Sequence, residues 1–393
     1  MFSKYQDKKS LRSLQKNPNW KLLKFSDVLR DETKNAKKIK KEEYLAQGSY
    51  PIIDQGKDYI AGFTNDGDGI YDKSPLIIFG DHTRILKYID FPIFIGADGV
   101  KLLKNVFSEE EVLTKYIYYY LRTVNIPDTG YNRHFKFLKE VVIPIPSIDL
   151  QKRIVSVLDK AQELIDKRKA QIEALDQLTQ SVFLEMFGDP ATNPKKWPMG
   201  FIKDLALKTQ YGTSKKASED TGKYPILRMN NITYEGHWDL TDLKYVDLDD
   251  KEVEKYLVHK GELLFNRTNS KELVGKTAVY RFEKPMAFAG YLVKLIPNEK
   301  ANAEFISAYL NSKYGKSILF SMAKNIVGMA NINAEELKSI KIYIPPKQLQ
   351  DQFAEIVQKI ESQRELFKKG LVELEKNFNS LMQRAFKGEL FND

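Results

Sequence analysis

The sequence predicts an α+β protein built as two globular units in tandem, each followed by a long helix, and three observations carry that prediction. A helical stretch occurs twice, from Pro146 to Asp189 and from Pro345 to Gly388. Adding 199 to the first numbering pairs Leu150 with Leu349, Gln151 with Gln350, Leu175 with Leu374 and Phe187 with Phe386 without a gap. The residues ahead of each stretch repeat as well. Finally, those preceding segments alternate short Val, Ile, Leu and Tyr runs with Gly-, Asn- and Asp-rich turns such as Asn65-Asp66-Gly67-Asp68-Gly69, which is the composition of strands and turns.

The globular repeat reads in order along the chain. Asn17-Pro18-Asn19-Trp20 matches Asn193-Pro194-Lys195-Lys196-Trp197, and Tyr50-Pro51-Ile52-Ile53 matches Tyr224-Pro225-Ile226-Leu227. The run Leu76 to Phe79 corresponds to Leu263 to Phe265, and Val100-Lys101-Leu102-Leu103 to Val293-Lys294-Leu295-Ile296. One amphipathic helix is expected in each unit, over 109–122 and 302–319, with Tyr116-Ile117 and Tyr120-Leu121 matched by Phe305-Ile306 and Tyr309-Leu310. The offset grows from 174 (Tyr50 to Tyr224) to 199 (Leu138 to Leu337), so the second unit carries extra loop residues. The expected boundaries are a first unit over 1–145, its helix over 146–189, a second unit over 190–344 and its helix over 345–393. Each unit is expected to hold a twisted, partly antiparallel sheet, whose strand order the sequence leaves open.

Each long helix carries a heptad pattern. In the first, the seams are Leu158, Ile165, Ile172, Thr179, Met186 and Ile154, Ala161, Arg168, Leu175, Val182; in the second, Val357, Arg364, Leu371, Phe378, Ala385 and Phe353, Ile360, Phe367, Leu374, Leu381. A rod of forty-odd residues at 1.5 Å each is roughly 60 Å long, and its one-sided apolar face requires a partner helix. The other copy is the obvious partner. Proline opens each rod and glycine closes it. Arg168 and Arg364 interrupt the seams; they are expected to snorkel to solvent, the alternative being that they fix register.

Composition removes several function classes. The chain has no cysteine, hence no disulfide or thiolate metal site, and its four histidines (His82, His134, His237, His259) lack metal-ligand spacing. No signal-like or membrane-length apolar run occurs, so a soluble, cytoplasmic protein without membrane association is expected. A net charge of +9 suits a polyanionic partner. Ser270 to Thr277, SKELVGKT, ends like a phosphate loop but has Ser270 where the first glycine belongs. No nucleophile motif, carboxylate pair or Asn/Asp-Pro-Pro-aromatic methyltransferase tetrapeptide is present, so the chain reads as a binder and no catalytic or metal-ligating residue is assigned.

Several strings in this layout resemble the specificity subunit of type I restriction-modification systems: Ile143-Pro144-Ile145-Pro146 through Leu150-Gln151-Lys152-Arg153-Ile154, Phe183-Leu184-Glu185-Met186-Phe187-Gly188-Asp189, Gly261-Glu262-Leu263-Leu264, and Gly328 through Lys338. The resemblance spans about residues 17–392. It implies two target-recognition domains, each reading one half of a bipartite, asymmetric double-stranded DNA target, with the long helices pairing as an antiparallel coiled coil that spaces them. It further implies docking of two modification (methyltransferase) subunits, which bind S-adenosylmethionine, and of restriction subunits. The chain itself would be non-catalytic and hold no cofactor.

Combining the repeat with side-chain chemistry selects candidate DNA contacts. Positions alike in both halves, such as Trp20/Trp197, Tyr50/Tyr224, Lys101/Lys294 and Leu138/Leu337, read as scaffold, whereas polar loop residues that differ can read different half-sites through directed donors and acceptors. In the first unit these are Asp81, His82, Thr83, Arg84, Tyr131, Asn132, Arg133 and His134. In the second they are Arg228, Asn230, Asn231, Asn266, Arg267, Thr268, Asn331 and Asn333, with Lys215 and Lys216 as phosphate contacts. For each residue, a solvated or turn-capping side chain is the competing reading. Two other classes compete for the whole chain: a self-contained DNA-modifying enzyme and a structural coiled-coil protein.

Overall fold

The structure, a computed structural model, describes residues 4–15, 17–130, 132–326 and 329–391. The chain divides into two compact units, Met1–Arg168 with Gly370–Asp393, and Lys169–Lys369. The long helices run Ile148–Phe187 and Lys347–Phe386, 40 residues each, so each unit contains half of each helix. Both start just after their prolines. Each ends at a glycine in the left-handed region, Gly188 at φ 82° and Gly388 at φ 73°, a backbone conformation that costs glycine nothing.

Within each unit the two helix halves run antiparallel. In the first unit Ile154, Leu158 and Ile165 share a core with Phe378, Met382 and Phe386. In the second, Phe183 and Phe187 lie 5.8 and 5.4 Å from the ring of Phe353. The buried face follows the heptad at the start of each helix but moves one residue near the end, to Phe183, Phe187 and Met382 instead of Val182, Met186 and Leu381. An unsupercoiled helix drifts by about 20° per heptad against a strict 3.5 repeat, and here the globular core takes over the packing.

The two units share their main sheets and differ at the margins. A short antiparallel pair, Lys21–Lys24 with Val142–Ile145, recurs as Met199–Phe201 with Lys341–Tyr343. A four-stranded antiparallel sheet follows, in the order Leu29–Asp31, Val100–Asn105, Leu76–Gly80, Leu86–Ile89; its counterpart is Ala206–Tyr211, Leu292–Pro297, Leu263–Asn266, Thr277–Val279. A second small sheet contains the parallel pair Tyr50–Ile53 beside Phe94–Gly96, matched by Tyr224–Leu227 beside Met286–Phe288; Lys38–Ile39 flanks the first of these in parallel, whereas Leu257–Val258 flanks the second antiparallel. The central strand is buried on both faces. Ile77 and Phe79 face the helices while Leu76 and Ile78 face the second sheet, and Leu263 and Phe265 are likewise opposed to Leu264. This explains a run of consecutive apolar residues where a half-exposed strand would alternate.

The registers correct one sequence match. Lys101 pairs with Phe79 and points to the helix side, whereas Lys294 pairs with Leu264 on the opposite face, where its ammonium donates to Leu257 O at 2.7 Å. A one-residue slip in a strand exchanges faces, so the two lysines are not equivalent. The expected helix over 302–319 is two helices, Ala303–Asn311 and Lys313–Met322, because the Ser312 hydroxyl caps a new start by accepting from Gly315 N at 3.0 Å. Of the helix expected over 109–122 in the first unit, Thr114–Arg122 is helical, the preceding residues forming a turn that Ser108 and Glu109 tie down.

A buried glutamine fastens each long helix to its unit in the same way. Gln151 accepts from Leu113 N at 2.9 Å and donates to Glu111 O and Pro146 O, and Gln350 accepts from Asn302 N at 2.9 Å and donates to Lys300 O and Pro345 O. Both are fully buried, so every bond must be made. The tryptophans are equivalent too. Trp197 Nε1 donates to Phe187 O at 2.9 Å beside the end of the first helix, and Trp20 lies beside Gly388 at the end of the second.

Arg364 does not snorkel. It is buried, and its Nε lies 3.0 Å from Asp176 Oδ1 across the paired helices of the second unit. Arg168 lies over Gly370, where a side chain would collide with its guanidinium. Around Arg364 a closed ionic cluster forms, with His237 Nε2 2.8 Å from Asp176 and Nδ1 3.2 Å from Glu361, and Arg281 bridging Glu304 and Glu361. Burial alone would push the His237 imidazole down, but the paired carboxylates outweigh it and hold its pKa above the ordinary 6.5. Burial would raise Glu361, yet His237, Arg281 and Arg364 bring it from 4.5 to about 2. The Glu361 contribution to stability is therefore present above pH 4.5 and lost as pH falls towards 2; the His237 contribution is present below 6.5 and lost as pH rises through its elevated value. The urea midpoint of the second unit should accordingly fall on both sides of the interval between 4.5 and 6.5. His237→Gln should flatten the alkaline limb relative to the native chain; parallel alkaline limbs would contradict the assignment.

Candidate nucleic-acid interface

In both units the structure joins the same two segments, the turn leaving the central strand (80–84; 266–270) and the stretch entering the short helix Phe135–Leu138 or Ala334–Lys338 (129–134; 329–333). In the first unit His134 N donates to Asp81 O at 2.9 Å, and in the second Ile332 N donates to Arg267 O at 2.9 Å. The candidates on these segments therefore share one surface within each unit.

Their side chains divide by what they already bond. Asp81 is buried and accepts from Phe135 N at 2.8 Å, which caps the short helix; His134 is fully buried, with Nδ1 2.9 Å from Asp81 O and Nε2 3.3 Å from Thr129 Oγ1. Arg84, at φ 62°, pairs with Asp128 at 2.7 Å. His82 Nδ1 lies 3.2 Å from Asn132 O, Thr83 Oγ1 donates to Gln55 O at 2.7 Å, and the Asn132 amide donates to Thr129 O. Arg133 is exposed and makes no hydrogen bond or ion pair with another described residue. Tyr131 lies outside the described residues.

In the second unit Arg267, Thr268 and Asn331 form one connected group at a three-stranded sheet, Thr268–Asn269, Met329–Asn331 and Lys324–Ile326, that has no counterpart among the described residues of the first unit. Asn331 donates to Thr268 Oγ1 at 2.7 Å and accepts from the Arg267 guanidinium at 3.4 Å. That guanidinium also lies 4.9 Å from the ring centroid of Tyr211. Asn266 is fully buried and Asn333 caps the short helix by accepting from Glu335 N and Glu336 N at 2.9 Å. On a separate loop, Asn231 is buried and accepts from Arg228 N, while Arg228 pairs with Asp242 at 2.7 Å. Lys215 is already paired with Glu252, whereas Lys216 and Asn230 are exposed and make no bond to another described residue.

Sequence reasoning missed Gln55, which supports the turn of the first unit by accepting from His82 N at 3.2 Å and from Thr83. It also missed Tyr211 and Tyr291, exposed aromatics beside Arg267. No local pattern marks them, because each reaches the site through the sheet. Lys276 of the phosphate-loop-like string is buried and donates to Met229 O at 2.8 Å, which confirms a structural use. Among the described residues no cluster suited to a metal ion occurs, and no helix is long and apolar enough to cross a membrane.

The family described as the type I restriction modification DNA specificity domain matches residues 17–175 and 194–376, one copy for each unit of the repeat. The chain belongs to this family. It is 24% identical over 360 residues to the type I restriction enzyme EcoR124I/EcoR124II specificity subunit of Escherichia coli, covering 85% of this chain and 84% of that protein. It is 29% identical over 201 residues to a putative type I restriction enzyme MjaX specificity subunit of Methanocaldococcus jannaschii, a match spanning 50% of this chain and only 47% of that relative. The fold resembles the crystal structure of the type I restriction-modification system S subunit from M. genitalium, with a TM-score of 0.54, 19% identity, and coverage of 96% and 97% of the two chains. The fold is that of this family, with two α/β units in tandem and two long helices.

The bonding pattern separates two groups by stability. Asp81→Ala and Asn333→Ala each remove a helix cap and should cost about 0.5–2 kcal/mol in urea unfolding. Arg133→Ala and Lys216→Ala should stay within about 0.5 kcal/mol of the native chain.

Proposed function

We propose that the two units read the two unlike halves of a bipartite DNA target, and that the chain, itself without catalytic activity or cofactor, docks modification subunits that bind S-adenosylmethionine and methylate adenine, together with restriction subunits. The carrying observation is that units with the same main sheets present different polar groups on equivalent segments, His82, Asn132 and Arg133 in one and Arg267, Thr268 and Asn331 in the other. Equivalent placement suits one docking mode on the duplex, and unlike donors and acceptors suit unlike sequences. Arg267 is the strongest single base-reading candidate, because Tyr211 and Asn331 hold its guanidinium while it keeps partial exposure. In selection from a randomised DNA library by the assembled methyltransferase, Arg267→Ala should relax one half-site only, at a cost of roughly 1–3 kcal/mol if the contact is bidentate to guanine. Equal loosening of both half-sites would count against the assignment, and affinity insensitive to salt would count against DNA reading altogether.

The long helices act in this proposal as the spacer between the half-sites. One heptad inserted after Gln171 and one after Gly370 would lengthen each helix by roughly 10 Å while keeping its apolar face in phase. The recovered target should keep both half-sites and gain about three base pairs between them; recovery of the original spacing at native affinity would refute the spacer role.

A further inference from the structure

The unit Lys169–Lys369 encloses a cavity of about 490 Å³ between the two helix halves, the helix Ala303–Asn311 and the turn at 235–237. Its origin can be read from the repeat. Tyr120 donates to Val142 O at 2.8 Å and Tyr309 to Lys341 O at 3.2 Å, which makes Thr114–Arg122 and Ala303–Asn311 equivalent with an offset of 189, while the long helices correspond with an offset of 199. Four lining residues, Thr179, Ser307, Ala308 and Asn311, then stand where the first unit has Phe378, Tyr118, Tyr119 and Arg122.

In the first unit those larger residues form a filled stack. The Arg122 guanidinium lies 5.0 Å from the Phe378 centroid, 5.5 Å from Tyr118 and 6.0 Å from Tyr119, and donates to Gln162 Oε1 at 3.4 Å. In the second unit the three rings are gone, and the guanidinium comes from another element, Arg281, which pairs with Glu304 and Glu361 in the cavity wall. The acceptor has instead become a carboxylate, Glu361 in place of Gln162, and Lys115 has become Glu304. Asn311 Oδ1, at the position of the lost guanidinium, is buried with no hydrogen-bond partner. Phe183, Phe353 and Val357 give the cavity an apolar floor, and its lining carries Asp176, Asp189, Glu235, Glu304 and Glu361 against Arg281, Lys313 and His237. Asp176, Glu304 and Glu361 are already paired with His237, Arg281 and Arg364, which leaves Asp189 and Glu235 as the lining carboxylates without an ion pair to a described residue.

We propose that this cavity is a binding site for a guanidinium or amidinium cation carried on a planar, apolar body, a ligand that restores from outside the stack which the first unit makes from its own side chains. The volume lies within the ~300–1,000 Å³ of small-molecule sites, with an apolar floor and few polar groups as such sites have. The same chemistry is presented by a free aryl amidine and by an arginine with a neighbouring aromatic side chain on a partner polypeptide. The site is separate from the nucleic-acid interface and does not depend on how DNA is read.

The test uses the full chain and isothermal titration with benzamidine, with the dipeptide N-acetyl-Arg-Phe-amide, and with benzyl alcohol as the neutral control. Benzamidine or the dipeptide should bind one per chain and benzyl alcohol much more weakly; tighter binding of the dipeptide would identify a polypeptide source and of benzamidine a small-molecule source. Ala308→Tyr, which supplies the first unit's ring, should weaken binding by roughly tenfold or more, while urea unfolding remains cooperative. Thr179→Phe is the second filling variant should the first misfold. Absence of binding by both cations at millimolar concentration, equal binding of benzyl alcohol, or native affinity in a folded filling variant would overturn the proposal.

Discussion

The structure depends on the burial of one long apolar face. A helix of 40 residues with a one-sided apolar stripe is unstable in water alone, and each half of each helix here finds both an antiparallel neighbour and a globular core. Phe187, for example, packs 4.9 Å from Phe305 of the unit and 5.4 Å from Phe353 of the facing helix. The sheets are arranged to present a second apolar face to these helices, which is why their central strands are buried on both sides. Gln151 and Gln350 then fix where each rod begins, because a buried amide leaves no alternative set of partners.

The proposed interface gains its character from what that scaffold leaves over. Where the central strand ends, the backbone must turn and meet the segment entering the short helix, and many polar groups there serve the meeting itself. Asp81 and His134 are spent on it, and Asn333 on capping the short helix that follows. Of the groups that remain, Arg133 stands on backbone already fixed by these bonds, so its presentation requires little further ordering, while Asn230 and Lys216 stand on other loops. Arg267 combines both roles, since its guanidinium is stacked and bonded yet not fully covered.

Divergence between the repeats is concentrated where it is structurally cheap and functionally useful. The glutamine ties, the tryptophans beside the helix ends and the tyrosines bonded to Val142 and Lys341 are kept in kind. The space beside the paired helices is not kept: a guanidinium on aromatic rings in one unit is replaced in the other by smaller side chains and by a cluster in which Asp176, Glu304 and Glu361 meet His237, Arg281 and Arg364. Buried ionic groups of this kind add little net stability over apolar packing but penalise any pairing that leaves one of them unmatched. Arg364 and Asp176 therefore tie the second unit to one helix register.

Periodicity and repetition are properties of the chain itself, and they determined the tandem organisation, the existence and extent of the long helices, and the loops on which the polar candidates sit. What each polar residue does there was decided only by the fold. Arginine, asparagine and histidine in a turn have the same local signature whether they cap a helix, as Asn333 does, or face solvent, as Arg133 does, because the difference lies in partners brought from distant sequence. Arg364 looked like a side chain bound for water because a helical pattern records its angular position and not what waits on the other element. The match of Lys101 with Lys294 failed for a related reason: identical neighbours align in sequence, but a strand's face alternates at every residue, and hydrogen-bond register alone settles which way a side chain points.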